Sequence, residues 1–511
     1  MPQPTPSPLH CSIDDIADWD ETADVVVAGY GIAGVCAAIE AARAGADVLV
    51  LERTGGWGGA ASLAGGFVYL GGGTALQRAC GFEDSPEDMK QFMLAALGPG
   101  ADEAKIADYC DGSSAHYDWL VECGVPFKPT FWGEPGWEPP FDDGLMYSGG
   151  ENAAPFRDVV RPAPRGHVPQ MSGKVSGEKG GGYMLMRPLV EVAESLGVAA
   201  RYDTRIESLV IDHDDRVVGV VAKQYGKRRA VFARRGVVLA TGSFAYDERM
   251  VADYAPHLVG RPGAAIEQHD GIGIRLGQAL GAQLAHMDAT EVAFFCDPQL
   301  LVRGILVDGS GQRFIAEDTY PGRIGQETLL RRGNTAFLVI DQRGYDDGMA
   351  ATTATEQLRR PITWVGDTAA ELEAEMGLAS GALESTLALY NTYAAEGSDP
   401  VFGKKPEWVR PIGAPFAVID LRGSTGGFTL GGLRTTLDAE VLHVSGAPIA
   451  GLFAAGRTTS GVCAGGYASG TSLGDGSFYG RRAGVAAAGS TPVAAPTDAT
   501  GRDSSAPVAV G

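Results

Sequence analysis

The sequence predicts an α/β protein in which a Rossmann-like domain is split by an inserted α+β domain. Three observations support this prediction. An apolar run at residues 25–28 is typical of a buried parallel strand, and a glycine-rich turn and a helical pattern follow it. The combination of a strand and a glycine turn returns at residues 451–456. Between these two segments, residues 283–430 change to a mixed pattern of strands and helices.

The first element is a complete βαβ unit over residues 24–52 with the spacing Gly29-x-Gly31-x-x-Gly34. Gly29 permits a tight turn, Gly31 lets backbone approach a pyrophosphate, and Gly34 lets helix and strand pack closely. The helix that follows offers free N–H groups and a positive dipole end to that anion. Glu52, at the end of the second strand, is placed to bind ribose hydroxyls. The unit predicts a dinucleotide site; the alternative, a turn that binds nothing, leaves Glu52 unexplained.

The composition narrows the class of protein. The chain has 511 residues, which predicts two or three domains, and a net charge of −22 that disfavours nucleic acid as a partner. Its seven cysteines are scattered without a C-x-x-C pair, and its eight histidines show no metal spacing. We therefore expect a reduced cytoplasmic protein without a metal site. The N-terminus does not resemble a signal peptide and no apolar run reaches about 18 residues, so we expect no membrane span.

The N-terminal half continues with helices, loops and a β-meander. Residues 1–22 are predicted to be a loose arm, and the small-residue stretch 54–66 a loop along a pyrophosphate and a flavin ring. Helices are expected within 85–122, and residues 127–190 are expected to be irregular, with aromatic residues that either cover an apolar ligand or pack on the surface. A helix over 184–196, a meander over 197–222, a strand over 237–242 and a helix from 271 to 280 complete this half. No second GxGxxG follows, so a separate NAD(P)H domain is not supported.

The predicted domains follow from this order. The cofactor domain comprises residues 1–282 and 441–490, the substrate domain residues 283–440, and residues 491–511 form a disordered tail. A helix predicted to open at residues 471–473 would direct its N-terminus at the pyrimidine of a flavin and favour negative charge on the reduced ring. This feature favours FAD over NAD as the bound dinucleotide.

The motifs together resemble the fumarate reductase/succinate dehydrogenase flavoprotein superfamily. The matching segments run nearly from end to end: the βαβ unit with Glu52, residues 59–66, 240–242, 431–432, 451–456, 472–473 and 480–484. The resemblance implies FAD as cofactor and a set of residues that bind it: Gly29, Gly31, Ala33, Gly34, Glu52, Arg53, Gly59, Ala61, Ser62, Gly65, Gly66, Ile206, Ala240, Thr241, Gly242, Asp270, Gly456, Ser472 and Leu473.

Two segments refine the resemblance. The reductases carry an arginine acid four residues after the glutamate that aligns with Glu317, whereas this chain has Pro321 there, beside Tyr320. This difference argues against fumarate or succinate chemistry. Tyr320 and the segment Tyr467-Ala468-Ser469-Gly470 resemble 3-ketosteroid dehydrogenases, and the Tyr-x-Ser arrangement resembles the 3-ketosteroid Δ4-(5α)-dehydrogenases. The resemblance implies oxidation of 5α-3-ketosteroids to 4-ene-3-ketosteroids.

This chemistry needs a proton to leave C4 and a hydride to leave C5 for flavin N5. On the resemblance, Tyr467 is the catalytic base, Ser469 assists it, and Tyr320 is the second catalytic tyrosine. Backbone N–H groups near Gly470 are an alternative for polarising the ketone, and the sequence does not decide which tyrosine has which role. The expected partners are a 3-ketosteroid and an external electron acceptor. The competing readings are a Δ1-dehydrogenase, a fumarate reductase-like enoate reductase, and a flavin-carrying binding protein without turnover.

Overall fold

The computed structural model describes residues 8–170 and 181–495. Its α-helices, in chain order, are α1 Ile32–Arg43, α2 Gly59–Leu63, α3 Ala75–Ala79, α4 Pro86–Ala96, α5 Glu103–Glu122, α6 Gly181–Ser195, α7 Glu248–Tyr254, α8 Ile272–Ala279, α9 Pro298–Leu301, α10 Pro321–Arg331, α11 Gln342–Ala350, α12 Ala369–Met376, α13 Ala382–Ala394 and α14 Thr471–Gly489. In the described ranges no helix is both long and apolar enough to cross a membrane.

The β-strands, in chain order, are β1 His10–Ser12, β2 Glu21–Ala28, β3 Val48–Leu51, β4 Val68–Tyr69, β5 Phe131–Trp132, β6 Leu145–Met146, β7 Gly166–His167, β8 Ala199–Arg201, β9 Thr204–Ile211, β10 Val217–Gln224, β11 Lys227–Leu239, β12 Leu284–Ala285, β13 Thr290–Phe294, β14 Ile305–Val307, β15 Phe337–Asp341, β16 Trp364–Gly366, β17 Phe416–Asp420, β18 Thr425–Thr429, β19 Gly432–Leu433, β20 Glu440–Leu442 and β21 Pro448–Ala454.

The largest sheet has the predicted parallel centre and joins both ends of the chain. Its order is β1-β9-β10-β11-β2-β3-β8, and β21 pairs with the end of β11. Strands β2, β3, β8, β11 and β21 run parallel, so the carboxyl ends of β2, β3 and β21 meet at one edge. The split domain is therefore present, with β21 and α14 returning from the C-terminal part. Strands β9, β10 and β11 form an antiparallel meander. The meander predicted over 197–222 is wrong in its first strand, because β8 pairs in parallel with β3 instead.

Helices α1 and α14 cross closely on one face of this sheet. A Cβ added at Gly480 would lie 2.5 Å from the Ala33 carbonyl oxygen, and one at Gly484 would lie 2.2 Å from that of Ala37. Only glycine permits this approach, which explains the Gly480/Gly484 spacing in physical terms. The crossing brings the N-termini of both helices to the same edge of the sheet.

The inserted segment contains smaller sheets. Strands β14, β15, β17 and β16 form a four-stranded antiparallel sheet, and β13 pairs with β18. Helices α12 and α13 pack on the four-stranded sheet around Val339, Leu372 and Leu387. The boundaries 283–440 remain a prediction, but the mixed strands and helices expected in this segment are present.

Three local predictions differ from the structure. The arm over residues 1–22 is structured from residue 8: β1 pairs with β9, and Trp19 packs against Phe232 at 5.0 Å between ring centroids, because its apolar residues cover one face of the sheet. The stretch 54–66 contains α2, since alanines 60 and 61 favour a helical turn. The segment 127–190 carries the short strands β5 to β7 and the start of α6. Most of the predicted tail, from residue 496, lies outside the described residues.

Candidate active site

A single cavity extends from the carboxyl ends of β2 and β3 to the two tyrosines singled out in the sequence. Tyr320, Tyr467 and Ser469 line it. Sixteen of the predicted cofactor residues line it as well: Gly29, Gly31, Ala33, Glu52, Arg53, Gly59, Ala61, Gly65, Gly66, Ile206, Ala240, Thr241, Gly242, Gly456, Ser472 and Leu473. The structure thus brings residues from eight separate segments to one place.

Three predicted cofactor residues lie behind the cavity wall. A Cβ at Gly34 would lie 1.9 Å from the Gly29 carbonyl oxygen, so Gly34 serves the packing of α1 against the turn. The Ser62 hydroxyl donates to the Gly59 carbonyl at 3.1 Å within α2. Asp270 accepts from Arg53 at 2.8 Å and from Arg205 at 2.9 Å. Asp270 therefore positions two arginines at the edge of the cavity, and both of those arginines line it.

The glycine turn after β2 leaves room for a flat or charged group beside the backbone. Gly29 has φ +104°, and a Cβ there would lie 2.4 Å from the Ala240 carbonyl oxygen, so the turn requires glycine. A Cβ at Gly31 would come no closer than 3.8 Å to a protein atom, so that side of the backbone is open. Gly31 caps α1 and Gly470 caps α14, and neither provides a side chain to the helix N–H groups. The N-terminus of α1 is therefore free to accept an anion, whereas at α14 the Thr471 and Ser472 N–H groups already donate to the Ala468 carbonyl and the Tyr467 hydroxyl.

Charged side chains around the turn complete the cofactor cradle. The Glu52 carboxylate accepts the Tyr30 and Thr54 N–H groups at 2.8 Å each, which holds it at the end of β3. Arg457, which sequence reasoning missed, lies beside Gly456 with its side chain 10% exposed. Its Nε, Nη1 and Nη2 have no hydrogen-bond partner, and Asp475 is 3.6 Å away. Buried donors without hydrogen bonds beside an open turn fit an anionic dinucleotide such as FAD.

The Tyr467 hydroxyl is held at the N-terminus of α14. It donates to Ser472 Oγ at 2.9 Å and accepts the Ser472 N–H at 3.2 Å. Its ring meets Phe428 edge-on, with centroids 5.7 Å apart. Burial raises the pKa of Tyr467 above its ordinary value, and the hydrogen bonds from Ser472 offset this only in part. The phenol is therefore protonated at neutral pH.

Tyr320 and Ser469 form a second group of hydroxyls. Tyr320 precedes α10 at its N-cap position, and its ring meets Trp137 edge-on at 6.0 Å. Burial raises the pKa of Tyr320 well above its ordinary value, while a hydrogen bond with Ser469 acts in the opposite direction. The Ser469 backbone is fixed by Ser148, whose carbonyl accepts the Ser469 N–H at 3.0 Å. Ser469 therefore lies beside Tyr320 in the cavity, whereas Ser472 is hydrogen-bonded to Tyr467.

A smaller, polar cavity adjoins the main one behind this pair. Tyr320, Ser469 and Trp137 line both cavities, whereas Tyr467 lines only the main one. The polar side chains around the smaller cavity include Glu134, Asn152, Asp318 and Lys405. Tyr320 and Ser469 therefore lie between the main cavity and the polar side chains of the smaller one.

Glu291 is a further residue of the main cavity that the sequence did not reveal, because it lies within an ordinary strand pattern. It is 4% exposed, and its Oε2 has no hydrogen-bond partner. Burial alone raises the pKa of Glu291 to about 8. A carboxyl group that is neutral at pH 7 therefore forms part of the wall beside Tyr320.

Comparison with known proteins agrees with this geometry. Residues 24–473 match the family described as FAD binding domain. The crystal structure of a 3-ketosteroid-Δ4-(5α)-dehydrogenase from Rhodococcus jostii RHA1, in complex with 4-androstene-3,17-dione, is 72% identical; the match covers 93% of this chain and 99% of that chain, with a TM-score of 0.92.

Two curated relatives are more distant. A 3-oxo-5-alpha-steroid 4-dehydrogenase from Comamonas testosteroni is 29% identical over 64% of this chain and 69% of its own length. A probable fumarate reductase from Shewanella frigidimarina is 28% identical over 92% of this chain and 75% of its own length. The predicted family, fold class and FAD cofactor are confirmed. The chain belongs to the FAD-binding-domain family of flavoproteins and, within it, to the 3-ketosteroid Δ4-(5α)-dehydrogenases.

Proposed function

We propose that the protein oxidises 5α-3-ketosteroids to 4-ene-3-ketosteroids and passes the electrons to an external acceptor. The observation that carries this proposal is the meeting of Tyr320, Tyr467 and Ser469 in one cavity with the FAD cradle. The Rhodococcus relative with the same overall structure was solved with a 4-ene-3-ketosteroid. FAD, when bound, supplies the acceptor for the hydride that leaves C5.

Tyr467 is proposed to polarise the C3 carbonyl. The Ser472 N–H already donates to its oxygen, and this hydrogen bond makes the phenolic O–H a stronger donor. Turning that O–H from Ser472 Oγ to the ketone places a donor where negative charge develops as the C4 proton leaves. The raised pKa of Tyr467 suits a donor better than a phenolate base.

Ser469 and Tyr320 are proposed to remove the C4 proton. The C4–H bond breaks, a new O–H bond forms at Ser469, the Ser469 proton moves to Tyr320, and Tyr320 passes its own proton to solvent through the smaller polar cavity that both residues line. This assignment exchanges two roles expected from the sequence, in which Tyr467 was the base and Ser469 its helper. Its basis is that Ser472, not Ser469, contacts the Tyr467 hydroxyl.

The proposal places the site between the two proposed domains and the protein in a reducing compartment. Tyr320 and Phe428 come from residues 283–440 and Tyr467 from residues 441–490, so we place the steroid between the two proposed domains.

The seven cysteines are all unpaired, which supports a reducing compartment such as the cytoplasm.

The deciding experiment supplies a 5α-androstan-3-one and a dye acceptor to the purified flavoprotein and identifies the position of the new double bond. We expect a C4–C5 double bond and bleaching of the flavin when the acceptor is left out. A C1–C2 bond alone would assign the protein to Δ1-dehydrogenation. A flavin that no ketosteroid bleaches would indicate a binding protein without turnover.

A further inference from the structure

Glu291 is held on the wall of the ligand cavity by two strands. It lies on β13, directly opposite Phe428 of β18 in the antiparallel register. Side chains alternate along a strand, so Glu291 and Ala293 point to the same face, and both line the cavity. Phe428 in turn contacts Tyr467, so the Glu291 carboxyl group lies in the same cavity as Tyr320 and Tyr467.

Nothing in the described part of the chain neutralises this carboxyl group. Its Oε2 is buried without a hydrogen-bond partner. The ionisable groups on and around the elements packed against β13 have other partners, are exposed or carry no charge. His257 contacts Thr290 Oγ1, and Arg323 donates to the Ala154 carbonyl. Glu327 pairs with Arg331, Asp288 is exposed, and Tyr320 and Tyr467 are neutral phenols. Burial is accordingly the one influence that acts on its pKa, which is raised to about 8.

A flat apolar ligand would make ionisation of Glu291 still less favourable. An ionised carboxylate without a counter-ion depends on water for its stability. A ligand that fills the cavity displaces that water and offers an uncharged surface in its place. The ligand complex and the proton on Glu291 therefore stabilise each other, which is a linkage between two binding equilibria.

We propose that Glu291 is a specificity-determining residue that couples binding of an uncharged 3-ketosteroid to retention of its own proton. The inference rests on the proposed function, because it takes the occupant to be an uncharged steroid ketone. Glu291 transfers no proton to the ligand and acts through the charge of the cavity wall.

The test titrates 4-androstene-3,17-dione into the oxidised holoprotein between about pH 7 and pH 9.5, a range that spans the ionisation of Glu291. Binding is followed by the flavin absorbance and by calorimetry in two buffers with different heats of ionisation. We expect constant affinity up to about pH 8 and then a loss of up to about tenfold per pH unit, with uptake of up to one proton on binding. Tyr320 and Tyr467 keep their protons in this range, and His269, with a pKa of about 4, stays neutral.

Two variants isolate the effect. Glu291→Gln keeps the shape without the charge, and we expect its affinity to be independent of pH and its binding to take up no proton. Glu375→Gln, on an exposed position of α12, is the matched control and should behave like the wild type. If Glu291→Gln does not fold, the infrared carbonyl band of a protonated carboxylic acid in the wild-type protein at pH 8.5 provides the second readout; we expect this band to gain intensity on steroid binding, and an unchanged band would contradict the coupling.

The outcomes separate this inference from the proposed function. Steroid binding that is tight but independent of pH, without proton uptake, would overturn the role of Glu291 and leave the proposed function intact. Absence of steroid binding at every pH would overturn both.

Discussion

The Tyr467 hydroxyl is fixed by two atoms of a single residue, Ser472, at the start of α14. Replacing it in Tyr467→Phe removes the donor proposed for the ketone and leaves the ring contact with Phe428. We expect full FAD content and a turnover lower by about 10²–10³, as for loss of one donor to a developing oxyanion. The measurement is steady-state turnover with a dye acceptor. Tyr225→Phe, at a position 79% exposed, is the control and should keep full turnover.

Ser469 offers a test of the proton path. In Ser469→Ala the hydroxyl that contacts Tyr320 is missing, so the C4 proton has no acceptor beside the polar cavity. We expect the variant to bind steroid but to exchange C4 hydrogen with deuterated solvent far more slowly than the wild type, a property that mass spectrometry of the recovered steroid measures. Ordinary exchange in this variant would return the role of base to Tyr467.

The sequence revealed some residues of the site and not others. Tyr320, Tyr467 and Ser469 were found because their segments resemble those of a known family. Glu291 and Arg457 were missed, because a lone acid in a strand and a lone arginine after a glycine have no pattern of their own. Their significance lies in missing hydrogen bonds, a property of three-dimensional surroundings that the order of residues does not show.

Among the elements, the glycine turn that leads into α1 gives a prediction about cofactor affinity. Gly31 has φ −84°, which alanine adopts, and its Cβ would meet no protein atom within 3.4 Å. We expect Gly31→Ala to fold with an unchanged melting temperature of the apoprotein but to lose most of its FAD, because the methyl group occupies the face that the pyrophosphate approaches. Gly56→Ala, with nothing within 4 Å, is the matched control. Flavin absorbance per protein measures the outcome.

The elements themselves were predicted best where the pattern is local. Helix α1, Ile32–Arg43, forms within the predicted βαβ unit, because the apolar spacing and the glycine turn act within one segment. Strand β1 was missed since its three residues gain stability only by pairing with β9, about two hundred residues later. The short helix α2 was missed because a run of small residues is also typical of a loop.

Across the whole molecule, a buried ion cluster joins distant segments of the inserted region. Arg313, 6% exposed in its side chain, pairs with Glu317 at 2.7 Å and with Asp399 at 2.8 Å, and Lys404 reaches Glu317 at 3.2 Å. Removing one partner leaves buried charge without compensation. We expect Arg313→Ala to lower the free energy of unfolding by about 3–5 kcal/mol. The exposed pair of Arg331 with Glu327 is the control, and Arg331→Ala should cost about 1 kcal/mol or less in chemical denaturation.

The stability of the whole chain should also report the state of Glu291. Its pKa in the folded protein is about 8 against an ordinary value of 4.5, so the folded state binds more protons than the unfolded state between these values. Stability is therefore highest below pH 4.5 for this group and declines as the pH rises to about 8. We expect the free energy of unfolding of Glu291→Gln to rise relative to that of the wild type over this range, by up to about 1.4 kcal/mol per pH unit, in denaturant titrations of the apoprotein. Parallel curves for the two proteins would contradict it.

The return of β21 and α14 to the first βαβ unit has a consequence for synthesis. The wall formed by Gly456, Ser472 and Leu473 belongs to segments that leave the ribosome after more than four hundred residues have been made. A nascent chain that still lacks these segments therefore holds an open, apolar groove, and flavin loading must wait until they have been made. Truncated products that end before residue 448 would emerge colourless and depend on chaperones to remain dispersed.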